Sequence, residues 1–187
     1  MKTRPDYVGL IFYGPSKRYV GESLESFDAR PSKIVGVFVN ASAQTISKKI
    51  KTYGLDMVQL HGDESPALCA ELRRETQVMK AFGIAEAEDF AACAAYEKAC
   101  DYFLFDRKTP LYGGSGQQYD WALLEAYRGE RPFFLSGGIG PEDAKRIKAI
   151  AHEKLWGVDI NSAFEDAPGV KNVADVSAFI QELRNEN

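Results

Sequence analysis

The chain has 187 residues, 45% of them apolar and 27% charged, which suits one substantial hydrophobic core and a single domain over residues 1–187. A formal charge of −4, with Lys and Arg scattered among Asp and Glu, gives no electrostatic footprint for nucleic acid and points to a small-molecule partner. No apolar run approaches the ~18 residues of a spanning helix, and the N-terminus lacks the succession of a signal peptide, so a cytoplasmic protein without a membrane partner is expected.

Seven short runs predict strands: VGLIFY (8–13), KIVGVFV (33–39), MVQL (57–60), QVMKAF (77–82), YFLFD (102–106), PFFLS (132–136) and LWGVDI (155–160). Each is apolar nearly throughout rather than alternating, the mark of a strand covered on both faces. Segments with helical spacing follow them: ESLESFDA, SAQTISKKIKTYG, SPALCAELRRE, EAEDFAACAAYEKA, DWALLEAYR, PEDAKRIKAIA and a last one from Asn172 to Leu183. Ser65 before Pro66 and Asp120 before Trp121 read as helix N-caps. Cys69, Cys93 and Cys100 form neither an even set nor a C-x-x-C and read as reduced thiols in or beside helices.

Repeated strand–helix order implies right-handed parallel crossovers, hence a doubly wound sheet or a closed (β/α) barrel. No G-x-G-x-x-G follows the first strand, and polar and glycine-rich signals recur after many strands, which favours the barrel. A closed barrel of this kind has eight strands and typically about 250 residues, whereas seven strands are legible in these 187 residues. The fold expected is therefore α/β, of the (β/α)8 TIM-barrel family with seven βα units and the first strand and helix absent.

Reacting groups in a parallel barrel stand at the carboxyl ends of strands and in the loops that follow. Those positions hold Arg18 after the first strand, Gln59, His61 and Asp63 around the end of the third, and Asp106 closing the fifth. Asp159 closes the seventh. Partial desolvation suits Asp106 to general acid work, with an N-cap or an ion pair with Arg107 or Lys108 as the lesser alternative. Arg18, in a loop of small and turn-forming residues, is placed to hold a carboxylate in bidentate fashion, or to be a solvated surface cation. Asp159 needs a polar partner, from substrate or from the barrel itself. His61 has only His152 as a companion histidine, so it reads as a hydrogen-bonding neighbour of the site, and no metal is expected. Gly113 to Gly116, then Gly137 with Gly138, and Asn161 with Ser162 offer unhindered amides on three consecutive strand ends. That pattern suits a phosphate, though each glycine alone could serve only a turn.

The stretches GLIFYGPSKRYV, VGVFVN, VQLHGDE, FLFD, GGSGQQYDW, FLSGGIGPEDA and GVDINSAFEDAPGVK, in this order, resemble the phosphoribosylanthranilate isomerase family of tryptophan biosynthesis. The resemblance implies a cofactor-free compact barrel that converts N-(5-phosphoribosyl)anthranilate to 1-(2-carboxyphenylamino)-1-deoxyribulose 5-phosphate by an Amadori rearrangement. It implies Asp106 as the general acid that protonates the furanose ring oxygen. Arg18 would hold the anthranilate carboxylate, Asp159 would line the anthranilate side with Gln59 and His61 near the substrate, and Gly114, Ser115, Gly137, Gly138, Asn161 and Ser162 would cradle the phosphate. Gln117 stands where the family commonly has the Lys of GGTGK, and Ile160-Asn161-Ser162-Ala163 where it commonly has VSSG; both changes leave backbone amides in place.

The family's first strand carries K-x-C-G-x-T, whose Cys is the base that takes the C2 proton, and nothing in these residues matches it. The first βα unit is then expected to be missing, with MKTRPDY as the tail of the first helix and its link to the second strand, and the chain to be impaired or inactive by itself. A non-catalytic phospho-ligand-binding relative and a different phosphate-binding barrel enzyme are the alternative readings. Unpaired sheet edges would also invite a homo-oligomer.

Overall fold

In the computed structural model, which describes residues 4–21, 29–109 and 118–185, the seven apolar runs pair into one all-parallel sheet in sequential order. The strands are β1 (Tyr7–Ile11), β2 (Lys33–Phe38), β3 (Met57–Leu60), β4 (Gln77–Ile84), β5 (Tyr102–Arg107), β6 (Phe133–Leu135) and β7 (Leu155–Val158). The sheet curls strongly. In a flat sheet β1 and β6 would lie about 24 Å apart, five strand spacings, yet the ring of Tyr7 on β1 packs edge-on against Phe134 of β6 with centroids 5.7 Å apart. The result is a curled half-barrel, an α/β architecture of TIM-barrel type.

Strand alternation divides the interior into two layers. Val35, Met57, Met79, Ala81, Leu104 and Phe134 fill the concave side. Their strand neighbours, including Val58, Leu60, Val78, Phe103, Phe105, Phe133 and Leu135, face the helices on the convex side. Phe103, Phe105 and Phe133 are fully buried there, each worth about 1.5–3 kcal/mol relative to exposure.

Helix boundaries follow local chemistry. In α1 (Ala43–Tyr53) the Ser42 hydroxyl accepts the Thr45 N–H at 3.2 Å, and Gly54 ends the helix at φ +58°. In α2 (Pro66–Leu72) Ser65 caps Leu68 and Pro66 opens the first turn. Two further α-helices follow, the short α3 (Ala144–Lys148) and the longer α4 (Val173–Arg184), the latter capped by Asn172. Two expected α-helices wind instead as 3-10 segments, Ala87–Tyr96 and Trp121–Ala126. Their buried residues, Phe90 with Cys93 and Trp121 with Leu124, are three apart, the spacing a 3-10 helix eclipses on one side. Most of ESLESFDA, at 22–28, lies outside the described residues.

One element is absent from the expectations. After β7 and a 3-10 turn at Ser162–Phe164, the chain makes a small antiparallel hairpin, β8 (Glu165–Ala167) and β9 (Val170–Lys171). Pro168-Gly169 turns it, with Gly169 at φ +83°, where only glycine is unstrained. All three cysteines are reduced and buried on the convex side: Cys69 in α2, Cys93 in the first 3-10 segment and Cys100 just before β5.

Candidate functional site

The alternation that puts Met57 and Leu104 on the concave side carries Gln59, His61 and Asp106 to the same side at the carboxyl ends of β3 and β5. Asp106 is 9% exposed. Its Oδ2 is 3.3 Å from His61 Nε2, and its Oδ1 accepts the Arg107 N–H at 2.7 Å. The Gln59 amide nitrogen stands 2.9 Å from His61 Nδ1. An amide nitrogen can only donate, so Nδ1 accepts and the single proton of the neutral ring sits on Nε2, facing Asp106. Gly137, at φ +93°, closes the other flank: a Cβ there would meet Asp106 Oδ1 at 2.7 Å and the Arg107 nitrogen at 2.9 Å. Beside this pair, the Ser136 hydroxyl donates to Asp159 Oδ2 at 3.3 Å. Burial raises the Asp159 carboxyl above its ordinary value, and the nearby Asp106 charge adds to the effect.

Arg18 crosses from the loop after β1 to the hairpin after β7. It is not a solvated surface cation, because it holds a carboxylate of the chain itself. Its Nε donates to both Glu165 oxygens at 3.0 and 2.8 Å, and its Nη2 lies 2.7 Å from Oε2. Lys171 Nζ donates to Glu165 Oε1 at 2.8 Å and to the carbonyl and side-chain oxygens of Asn161 at 3.0 and 2.7 Å. Burial alone would raise the Glu165 carboxyl, but Arg18 and Lys171 outweigh it and hold it at about 2. A depressed carboxyl stabilises the fold fully above its ordinary value of 4.5, and that contribution disappears as pH falls toward about 2. Glu165→Gln is accordingly expected to flatten the loss of stability across that window, read as the urea midpoint against pH. An unchanged slope in the variant would remove Glu165 from the acid transition.

Of the expected phosphate positions, Gly114 and Ser115, like Gln117, lie outside the described residues. Gly137 and Gly138 hold φ of +93° and +67°, and Asn161 and Ser162 are exposed at the start of the three-residue 3-10 turn. Sequence reasoning missed Glu165, Lys171 and Ser136. The only signal for the first two was the Pro-Gly turn between them, which predicts that a hairpin brings them face to face. Among the described residues there is no group of three His, Cys, Asp or Glu that could hold a metal, and no helix long and apolar enough to cross a membrane.

A paired acid and imidazole, a second carboxyl and a bridging Arg at the carboxyl ends of parallel strands suit proton transfer on a small anionic molecule. Comparison with known proteins gives that chemistry a family. Residues 1–182 match the model of the "N-(5'phosphoribosyl)anthranilate (PRA) isomerase" family. The chain belongs to that family. An N-(5'-phosphoribosyl)anthranilate isomerase of Parabacteroides distasonis is 45% identical over 185 residues, covering 95% of this chain and 83% of the relative. The phosphoribosylanthranilate isomerase of Thermotoga maritima superposes with a TM-score of 0.78 at 33% identity, over 96% of this chain and 88% of that one. A further isomerase, solved in complex with reduced 1-(o-carboxyphenylamino)-1-deoxyribulose 5-phosphate, superposes with a TM-score of 0.76 at 28% identity, over 96% and 87%. The chain is thus an isomerase of the phosphoribosylanthranilate isomerase family, which acts in tryptophan biosynthesis.

Proposed function

We propose that these residues form the substrate-binding and acid side of the isomerase site, and that the seven strands correspond to the second through eighth of an eight-stranded barrel. On this reading 1–187 is a single barrel domain working in the cytoplasm on a phosphorylated small molecule. Asp106 gives its proton to the furanose ring oxygen as the bond from that oxygen to C1 breaks, leaving an iminium between C1 and the anthranilate nitrogen. His61, through Nε2, keeps the carboxyl aimed across the strand ends. Removal of the C2 proton then gives an enolamine that tautomerises to the ketose, with no net gain or loss of atoms. That second transfer needs a base that the described residues do not provide.

Gln59 and Asp159 with Ser136 line the anthranilate side. The amides at Gly137 and Gly138, with those at Asn161 and Ser162 and the segment around Gly114 and Ser115, take the phosphate, because free N–H groups favour an anion. Arg18 takes the anthranilate carboxylate. Arg18, Lys171 and Glu165 together carry one net positive charge, two cations less one anion, which a ligand carboxylate neutralises. Glu165 uses the Nε and Nη2 side of the guanidinium, and the ligand carboxylate would take the Nη1 side.

The observation that carries the reading is the contact of Asp106 with His61 at the open end of the sheet. The experiment that tests it is calorimetric binding of the reduced product, 1-(o-carboxyphenylamino)-1-deoxyribitol 5-phosphate, to the 187-residue chain. Arg18→Ala is expected to weaken binding by about 10- to 100-fold, the worth of a charge-assisted bond. The same variant should leave binding of the analogue without the carboxyl group unchanged. An unaltered affinity for the carboxylate ligand would reject the assignment.

A further inference from the structure

Lys80 is the only charge in the run QVMKAF, on a strand covered on both faces. Its side chain points away from the site, into the convex layer, where the residue is 3% exposed. We infer that Lys80 and Glu64 are positioning residues for His61, acting through the backbone that carries it. The three ammonium donors of Lys80 meet three carbonyls: Leu60 at 3.2 Å, Gly62 at 2.7 Å and Ala81 at 2.9 Å. Leu60 and Gly62 are the two residues flanking His61, so one ammonium grips the chain on both sides of the imidazole.

Glu64, also 3% exposed, stands 3.4 Å from the same ammonium and completes the grip. Its carboxylate accepts the Gly62 N–H at 2.9 Å and the Asn40 N–H at 2.7 Å. The Asn40 side-chain oxygen in turn accepts the Asp63 N–H at 2.6 Å, and the His61 N–H reaches the Phe38 carbonyl at 2.8 Å. Asn40 adopts φ +53°, and Gly62 packs so closely on it that a Cβ would meet the Asn40 backbone nitrogen at 2.8 Å. The rings of Phe82 and Tyr96 lie 5.6 and 6.0 Å from the ammonium, and the Tyr96 hydroxyl donates to the Glu64 carbonyl at 3.0 Å.

A buried ion pair adds little net stability compared with apolar residues of the same volume, so stability is a poor reason for burying these charges. An irregular turn at a strand end, however, has carbonyls and amides that no ladder satisfies. A centred cation and anion can tie these down in one geometry. The inference rests on Asp106 being the acid only for its catalytic consequence, because the direct object of the grip is the orientation of His61.

Nitrogen NMR of the full 187-residue chain labelled in histidine tests it, at about pH 8 where ordinary imidazoles are neutral. The chain has two histidines, and His152, whose Nδ1 accepts the Lys154 N–H at 3.1 Å on the opposite end of β7, is the internal control. The unaltered chain is expected to show His61 as one tautomer, protonated at Nε2. In Lys80→Met that signature is expected to collapse to a mixture of tautomers while His152 stays as it was. Glu64→Gln, which keeps shape and folds if Lys80→Met does not, is expected to give the same change to a smaller degree. A folded variant of either kind with an unaltered His61 signature overturns the inference, and so does a change in both histidines together, which would mark general loosening. Were Asp106 not the acid, the tautomer change would still occur, so the two failures are distinguishable.

Discussion

A polypeptide of these 187 residues is expected to convert N-(5-phosphoribosyl)anthranilate at the background rate. The same residues preceded by a strand and helix bearing K-x-C-G-x-T are expected to convert it at least about a hundredfold faster, the lower bound of what a positioned base contributes. The C2 proton must leave toward the concave side, and the groups described there are committed elsewhere. Asp106 is the proposed acid, His61 accepts from Gln59 at Nδ1 and faces Asp106 at Nε2, and Asp159, its carboxyl raised by burial, is held by the Ser136 hydroxyl. The thiols offer no substitute, because all three lie behind the sheet. Burial pushes the Cys93 thiol up to about 12, and the hydrogen bond to Cys69 together with burial raises Cys100 still further from ionisation. The Cys100 hydrogen bond lowers Cys69, yet that sulfur belongs to a residue with no exposed surface on the convex side. Loss of anthranilate-type fluorescence, followed for the two polypeptides side by side, measures the difference. Equal rates would show that a group within these residues takes the C2 proton.

The strands were legible because a parallel strand buried on both faces leaves an uninterrupted apolar run, and all seven runs form strands within two residues of their expected limits. Gln59 and Asp106 were legible for the same reason: a polar residue at or next to the end of such a run must emerge at the carboxyl end of the sheet. The winding of the segments at Ala87–Tyr96 and Trp121–Ala126 was not, since buried residues three apart fit an α-helix as well as a 3-10 one. Nor was the partner of Arg18. Glu165 is 147 positions away, and only the curl of the sheet brings the loop after β1 against the hairpin after β7. Lys80 carried a visible signal, a lone cation in an apolar strand, but the sequence does not say that its three acceptors bracket a histidine.

Asp106→Asn, introduced into the polypeptide extended by the base-bearing unit, is expected to lower turnover by about 10²–10⁴-fold, the usual worth of general acid–base catalysis. The substitution keeps the shape of the side chain in a place with no room for another: Gly137 approaches Oδ1 so closely that even a Cβ there would be at 2.7 Å. The amide oxygen can still accept from the Arg107 N–H or from His61 Nε2, but an amide has no proton to surrender to a ring oxygen. Chemistry should therefore fall while recognition persists, because the carboxylate and phosphate contacts assigned to Arg18 and to the glycine amides are made by other residues. The reduced product is expected to bind the variant within a few-fold of the parent, and lowering the pH should not restore the rate, since no protonation state of Asn supplies the missing acid. Turnover within about threefold of the parent would move the acid away from Asp106. Binding lost in proportion to turnover would instead make Asp106 a substrate-holding group. The separation of the two measurements is what distinguishes a proton donor from a carboxylate that merely orders the site.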